Sequence, residues 1–267
     1  LFETPVALTV AGSDSGGGAG LQADLKTLEH FGVFGCSVVT LITAQNTIGV
    51  SALVFLEPDI VTAQLRAVSD DFSLAAVKFG ALGNASIMGA VADWWRSLEK
   101  KPPLVIDPVM VSKHGHLLLD AASTDYLRQH ILPLADVITP NRHEAALLWG
   151  RPIESLADAR SAAEGLADEL DCAVIITAGS FEGDVATDVV AGAGSLAELS
   201  APRLETRHLH GTGCTFSAAI LAGLAGGLDL KSSALQAKCY TSAAIANGPA
   251  IGGGVRPLWH RLTSTNA

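Results

Sequence analysis

The 267-residue sequence has little charge and few aromatics: Asp, Glu, Lys and Arg make up 16 % and Phe, Trp and Tyr 5 %. Apolar residues reach 49 %, so the low hydrophobicity and high charge that keep a chain disordered are missing. Basic residues are scarce, with 17 Lys and Arg against 27 Asp and Glu and a formal charge of −10. No basic run exceeds Lys100-Lys101, which argues against nucleic acid as a partner. A membrane partner is not expected either, because no apolar stretch suits a span. Val33–Phe55 lacks charge but is broken by Ser37, Thr40, Thr43, Gln45, Asn46 and Thr47, and Cys214–Leu228 is too short. No basic segment precedes the first apolar run, so no signal peptide and a cytoplasmic location are expected. Cys36, Cys172, Cys214 and Cys239 form no CxxC pair, hence no zinc or disulfide framework. No Lys follows a Gly and no GxGxxG occurs, which removes the main support for P-loop and standard dinucleotide-binding readings.

What is present is alternation. Val6–Val10, Ser37–Leu41, Ala75–Phe79, Leu104–Ile106, Ala135–Thr139 and Ala173–Ile176 are short apolar runs that read as strands. Helical patterns lie between and after them, among them Leu21–Phe31, Ala85–Leu98, Asp120–Ile131, Leu156–Leu170, Thr215–Leu224 and Ser232–Asn247. Such alternation predicts an α/β fold whose mostly parallel sheet is covered on both faces. Val185–Ala191 and Leu196–Leu199 read as a hairpin or edge pair. No repeat, linker or shift in composition divides residues 1–267, so a single domain is expected. Asp14, Asp107, Asn141 and Thr177 each follow a strand, where open α/β sheets place their sites.

Four segments carry chemistry. His210-Gly211-Thr212-Gly213-Cys214-Thr215 leads a glycine turn into an apolar helix, and backbone N–H groups at a helix start form an anion hole. Cys214 lies in that field, which predicts a lowered thiol pKa and a general base for an alcohol. Ala11–Gly20 holds five glycines in ten residues before a helix bearing Gln22 and Asp24, and allows close backbone approach to a ligand. Thr43–Thr47 is a polar island in which the Gln45 amide can meet an aminopyrimidine edge or merely solvate a turn. Asn141-Arg142-His143-Glu144 opens a helix, and Glu144 with Asp107 would suit Mg²⁺ or, for Glu144, simple first-turn capping. The eight histidines show no metal spacing, and His208 and His210 read as local structure.

Taken together, Ala11–Thr27, Thr43–Thr47, Asp107–Gly115, Ile138–Ala145 and His210–Thr215 resemble, in order, the motifs of the hydroxymethylpyrimidine/phosphomethylpyrimidine kinases of thiamine biosynthesis. The resemblance implies a ribokinase-like three-layer αβα sandwich with a small β lid, a homodimer, and two successive phosphorylations by ATP with Mg²⁺. The acceptors would be 4-amino-5-hydroxymethyl-2-methylpyrimidine and then its monophosphate. Pyridoxal kinases are close relatives of that family, and a non-catalytic pyrimidine-binding protein is the other alternative. By resemblance, Gln45 reads the pyrimidine edge, and Gly12, Ala19, Asp24, Ala81, Val109 and Lys113 line its pocket or face its phosphate. Asn141, Thr177, Gly179, Thr212 and Lys238 would serve ATP, Glu144 and Asp107 the metal, and Gly211, Gly213 and Cys214 the transfer itself. Two departures stand out. Thr177-Ala178-Gly179-Ser180 replaces a Lys-Gly-Gly-His stretch, and Ala81 replaces a Met, which enlarges the pocket toward rings such as pyridoxal.

Overall fold

The computed structural model describes residues 4–110, 119–177, 181 and 183–262. Nine strands among them form one sheet in the order β3-β2-β1-β4-β5-β6-β7-β8-β9. They are β1 (Val6–Asp14), β2 (Phe34–Gln45), β3 (Val50–Phe55), β4 (Leu74–Phe79), β5 (Leu104–Ile106), β6 (Val137–Ile138), β7 (Ala173–Ile176), β8 (Val185–Gly192) and β9 (Ser195–Pro202). The six strands β2, β1, β4, β5, β6 and β7 run parallel, while β3, β8 and β9 pair antiparallel at the two edges. The hairpin expected near residues 185–199 is thus β8–β9. A short pair, β10 (His208–His210) and β11 (Arg256–Pro257), lies apart.

The alternation of side chains across each strand builds two cores. Leu8, Val77, Ile106 and Ile176 pack on α2 (Pro58–Ser69), α3 (Ala85–Ser97), α5 (Arg142–Trp149) and α6 (Leu156–Leu170). Their neighbours Ala7, Ala76, Val105 and Ile175 face α1 (Gly20–His30), α7 (Thr212–Ala225) and α8 (Leu230–Ala246). Both faces are therefore covered, which is why the inner strands read as continuous apolar runs rather than alternating ones. Helix α7 is buried almost all round, from Thr215 to Ala225, and its lack of a polar stripe follows from that position. The helix expected over Asp120–Ile131 is shorter: α4 is Ala121–Tyr126, followed by a wide turn at Leu127–Ile131 and a tight one at Leu132–Leu134. Pro133 lies in that last turn and has no N–H to continue the ladder.

The chain leaves β1 toward β2 on one side and returns to β4 on the other. The carboxyl ends of β1 and β4 therefore flank the point where strand order reverses, the position at which open α/β sheets form a crevice.

Candidate active site

A cavity of about 160 Å³ opens at that point. Its walls come from the end of β1 and the loop after it, from Gln45 and Val50 on the β2–β3 flank, from Lys78 of β4 with Gly80 and Ala81 after it, and from Asp107, Val109 and Glu144. Gly211, Thr212, Gly213 and Cys214 close it. Six distant segments thus meet, and Gly12, Ala19, Gln45, Ala81 and Val109 share one space with the glycine turn. Lys113 and Gly179 lie outside the described residues.

The glycine turn has its shape for a steric reason. Gly211 precedes α7 with φ +86°, a left-handed conformation that only glycine adopts cheaply. A Cβ there would also collide with the carbonyl oxygen of Gly18, so the two glycine-rich loops touch backbone to backbone. The first helical bond of α7 is Thr215 N–H to Gly211 O at 2.9 Å. The N–H groups of Thr212, Gly213 and Cys214 precede it and have no partner within the helix. All three residues line the cavity, which lies at the positive end of α7.

The floor is a buried charge cluster that sequence reading did not assemble. Lys78 is fully buried, and its Nζ donates to Asp24 Oδ1 at 2.6 Å. Thr9 Oγ1 donates to the other Asp24 oxygen at 2.6 Å. Asp24, which the resemblance placed in the pocket wall, is instead the counter-charge beneath it. Burial opposes the ammonium, yet Asp24, Cys214 and Asp107 outweigh burial and raise the Lys78 pKa. Asp107 accepts from Ser217 Oγ at 3.1 Å, and burial pushes its carboxyl up against the pull of Lys78.

The thiol of Cys214 corrects a second expectation. Burial pushes it up to about 12, helped by Asp107 and Asp24 and opposed by Lys78 and the Gly20 amide. The thiol does not fall toward neutrality as its place at the helix start predicts, because burial and the neighbouring carboxylates work against the thiolate. Its surface is only half-buried, since one side opens on the cavity.

His210 is a third correction. It is buried in the cavity wall, and its Nε2 lies 2.8 Å from Asp14 Oδ2 and 3.5 Å from Gln45 Nε2. It is a site residue rather than local structure. The only hint was its place directly before the glycine turn.

The other expected residues divide. Asn141 caps α5 by accepting from the His143 and Glu144 amides at 2.9 and 3.0 Å, and Glu144 Oε2 accepts in return from the Asn141 N–H at 2.9 Å. Thr177 bridges to Asn141 at the ends of β7 and β6. Thr212 lines the cavity and donates its hydroxyl to Leu209 O at 2.8 Å. Lys238, on α8, instead donates to Asp188 of β8 at 2.9 Å and is not among the cavity walls. Among the described residues no three His, Cys, Asp or Glu side chains form a metal cage. Asp107 and Glu144 nevertheless both reach the cavity, and two carboxylates completed by phosphate and water are what Mg²⁺ commonly takes.

The sequence profile of phosphomethylpyrimidine kinase matches residues 14–259. A hydroxymethylpyrimidine/phosphomethylpyrimidine kinase of Rhizobium meliloti is 46 % identical over 260 residues, covering 96 % of this chain and 97 % of that one. The phosphomethylpyrimidine kinase structure from Clostridium difficile superposes with a TM-score of 0.80 at 35 % identity, over 91 % of this chain and 100 % of that one. The ADP complex of Bacillus subtilis pyridoxal kinase gives a TM-score of 0.87 at 34 % identity, over 97 % and 98 %. The match runs from Asp14 in the first glycine-rich loop past the turn at Gly211, so the chain belongs to the phosphomethylpyrimidine kinase family.

Proposed function

We propose that the protein phosphorylates 4-amino-5-hydroxymethyl-2-methylpyrimidine with ATP and then phosphorylates the monophosphate to the diphosphate, as in thiamine biosynthesis. The observation that carries this reading is the convergence of Gln45 and the Gly211–Cys214 turn on one cavity. An amide offers an acceptor and a donor to an aminopyrimidine edge, and the turn offers N–H groups to the migrating phosphoryl group. Relatives support the two steps by name, as does a Staphylococcus aureus pyridoxal kinase solved with AMP-PCP and pyridoxal for nucleotide use.

Phosphoryl transfer asks the protein for alignment and charge stabilisation more than for covalent work. The N–H groups of Gly213 and Cys214 take up charge on the equatorial oxygens. Thr212, Thr177 and Asn141 flank the nucleotide side of this reading. Asp107 and Glu144 would hold Mg²⁺, which neutralises phosphate charge when bound. Cys214 accepts the hydroxymethyl proton in the first step. The second acceptor, a phosphate monoester, is already about −1.5 to −2 charged and needs no base. Lys113 belongs to this second step, as a cation against the repulsion of the two phosphates. A homodimer and a cytoplasmic location go with the reading. Exposed Ile42, Val54 and Phe55 on the β2–β3 edge favour the dimer, and no described helix is long and apolar enough to cross a membrane.

Pyridoxal kinase is the second reading, favoured by Ala81 in the cavity wall. An ADP-release assay with the pyrimidine alcohol, its monophosphate and pyridoxal side by side separates the two. Faster turnover with both pyrimidines is expected, and a preference for pyridoxal would replace the first reading by the second.

A further inference from the structure

One buried pair in the cavity wall has no part in the transfer just described: Asp14 with His210. Asp14 accepts hydrogen bonds from the amides of Gly16 (2.8 Å), Gly18 (3.0 Å) and Ala19 (2.9 Å), and meets His210 Nε2 at 2.8 Å. Burial raises its carboxyl pKa, but His210 and the amides outweigh burial and hold it below its ordinary value. An ionised carboxylate only accepts, so the hydrogen between the two belongs to His210 Nε2.

The same ring edge, its hydrogen held by Asp14, lies beside the Gln45 amide, whose nitrogen position is 3.5 Å away. Two N–H groups do not bond each other. The other end of the amide lies 3.1 Å from Thr43 Oγ1. Thr43 has a single hydroxyl hydrogen, and Ser13 O accepts it at 2.9 Å. Both conflicts vanish when the amide is turned over, since oxygen and nitrogen of an amide are told apart by their partners. Its oxygen then lies against the positive partial charge of the His210 Nε2 edge, whose hydrogen stays on Asp14, and its NH₂ donates to the lone pair of Thr43 Oγ1. One N–H and one oxygen lone pair remain for a ligand.

We infer that His210, anchored by Asp14, is a positioning residue that fixes the orientation of the Gln45 amide and thereby selects a heterocycle carrying a ring nitrogen beside an exocyclic amino group. A 4-aminopyrimidine has such an edge. A pyridine bearing hydroxyl and aldehyde groups does not. The inference rests on the reading of Gln45 as the residue that meets the pyrimidine.

The test is a double-mutant cycle on binding of the pyrimidine alcohol, measured by calorimetry. His210→Phe and Gln45→Ala should each weaken binding roughly tenfold, as expected when a buried polar partner is lost. The double variant should bind within about twofold of Gln45→Ala, because the two residues act as one unit. His210→Gln, whose amide reaches the Nε2 position, should keep the affinity, and His210→Asn, which falls short of it, should lose it. This pair decides the matter even where Phe perturbs folding, and melting temperatures without ligand check that both are folded. Additive losses, or equal binding by the Gln and Asn variants, would overturn the relay while leaving the pyrimidine reading intact. Failure of the unaltered protein to bind the pyrimidine alcohol would overturn that reading, and the relay with it.

Discussion

Two side chains on the cavity floor show how position and chemistry separate. The place of Cys214 at the start of α7 was legible in the sequence, since a glycine turn before an apolar run marks a helix start. Its ionisation was not, because it is set by burial in the assembled fold and then by Lys78, Asp107 and Asp24, which come from distant parts of the chain. A thiol at about 12 is a strong base when ionised and is rarely ionised. The thiolate fraction therefore grows with pH across the assay range. Turnover of the pyrimidine alcohol should rise from about pH 7 to about pH 9 while turnover of the monophosphate stays level, consistent with a proton acceptor needed only in the first step. Cys214→Ala should slow the alcohol far more than the monophosphate. Equal losses in steady-state assays would instead mark damage to the turn as a whole. Lys78 was hidden for the opposite reason: within Leu74–Phe79 it looks like one polar residue in a strand, yet it is fully buried against Asp24. Lys78→Met leaves that carboxylate buried without its counter-charge, which should cost about 3–5 kcal/mol in urea unfolding. Adding Asp24→Leu should restore most of it, and a persisting deficit would show that packing rather than charge is at stake.

Among the elements, the helices were the most legible, because their apolar spacing and caps are local. Helix α5 has both members of its capping box within four residues, Asn141 and Glu144. That motif also explains why these two admitted a structural reading beside a catalytic one. The segment after β11 was not legible at all. It brings His260 against α7, with Nε2 2.9 Å from Thr215 Oγ1, while Tyr240 donates its hydroxyl to His260 O at 2.8 Å. Burial, with Lys26 and His30 adding to it, pushes the His260 pKa down from 6.5 to about 4. Above pH 6.5 the ring is neutral both folded and unfolded and contributes nothing to pH dependence. Between 6.5 and about 4 the unfolded chain takes up the proton and the folded one resists it, so stability falls with pH by about 1.4 kcal/mol per unit. His260→Gln should flatten this part of the curve in urea titrations at about pH 7, 6 and 5. Parallel curves for the two proteins would show that the ring titrates alike in both states.

For the molecule as a whole, the parallel sheet could be read from short apolar strands alternating with helices, and the location of the site from polar residues just beyond them. Of the four polar residues after strands, Asp14 and Asp107 reach the cavity, while Asn141 and Thr177 do not line it. What one-dimensional reading could not supply is depth. Asp24 lies beneath the cavity rather than in its wall, and Lys238 is held by Asp188 and is not among the cavity walls. The contact of Gly211 with Gly18 is likewise a property of the assembled fold, since nearly two hundred positions separate them. All of the proposed chemistry turns on the N–H groups of α7 reaching the migrating phosphoryl group while Gln45 holds the acceptor. The direct measurement is a crystal structure with ADP, aluminium fluoride and the pyrimidine alcohol. The fluoride plane should lie about 3 Å from the Gly213 and Cys214 amide nitrogens, with the hydroxymethyl oxygen in line and the pyrimidine edge on Gln45. A fluoride group bound away from that turn, or a pyrimidine seated away from Gln45, would contradict the account.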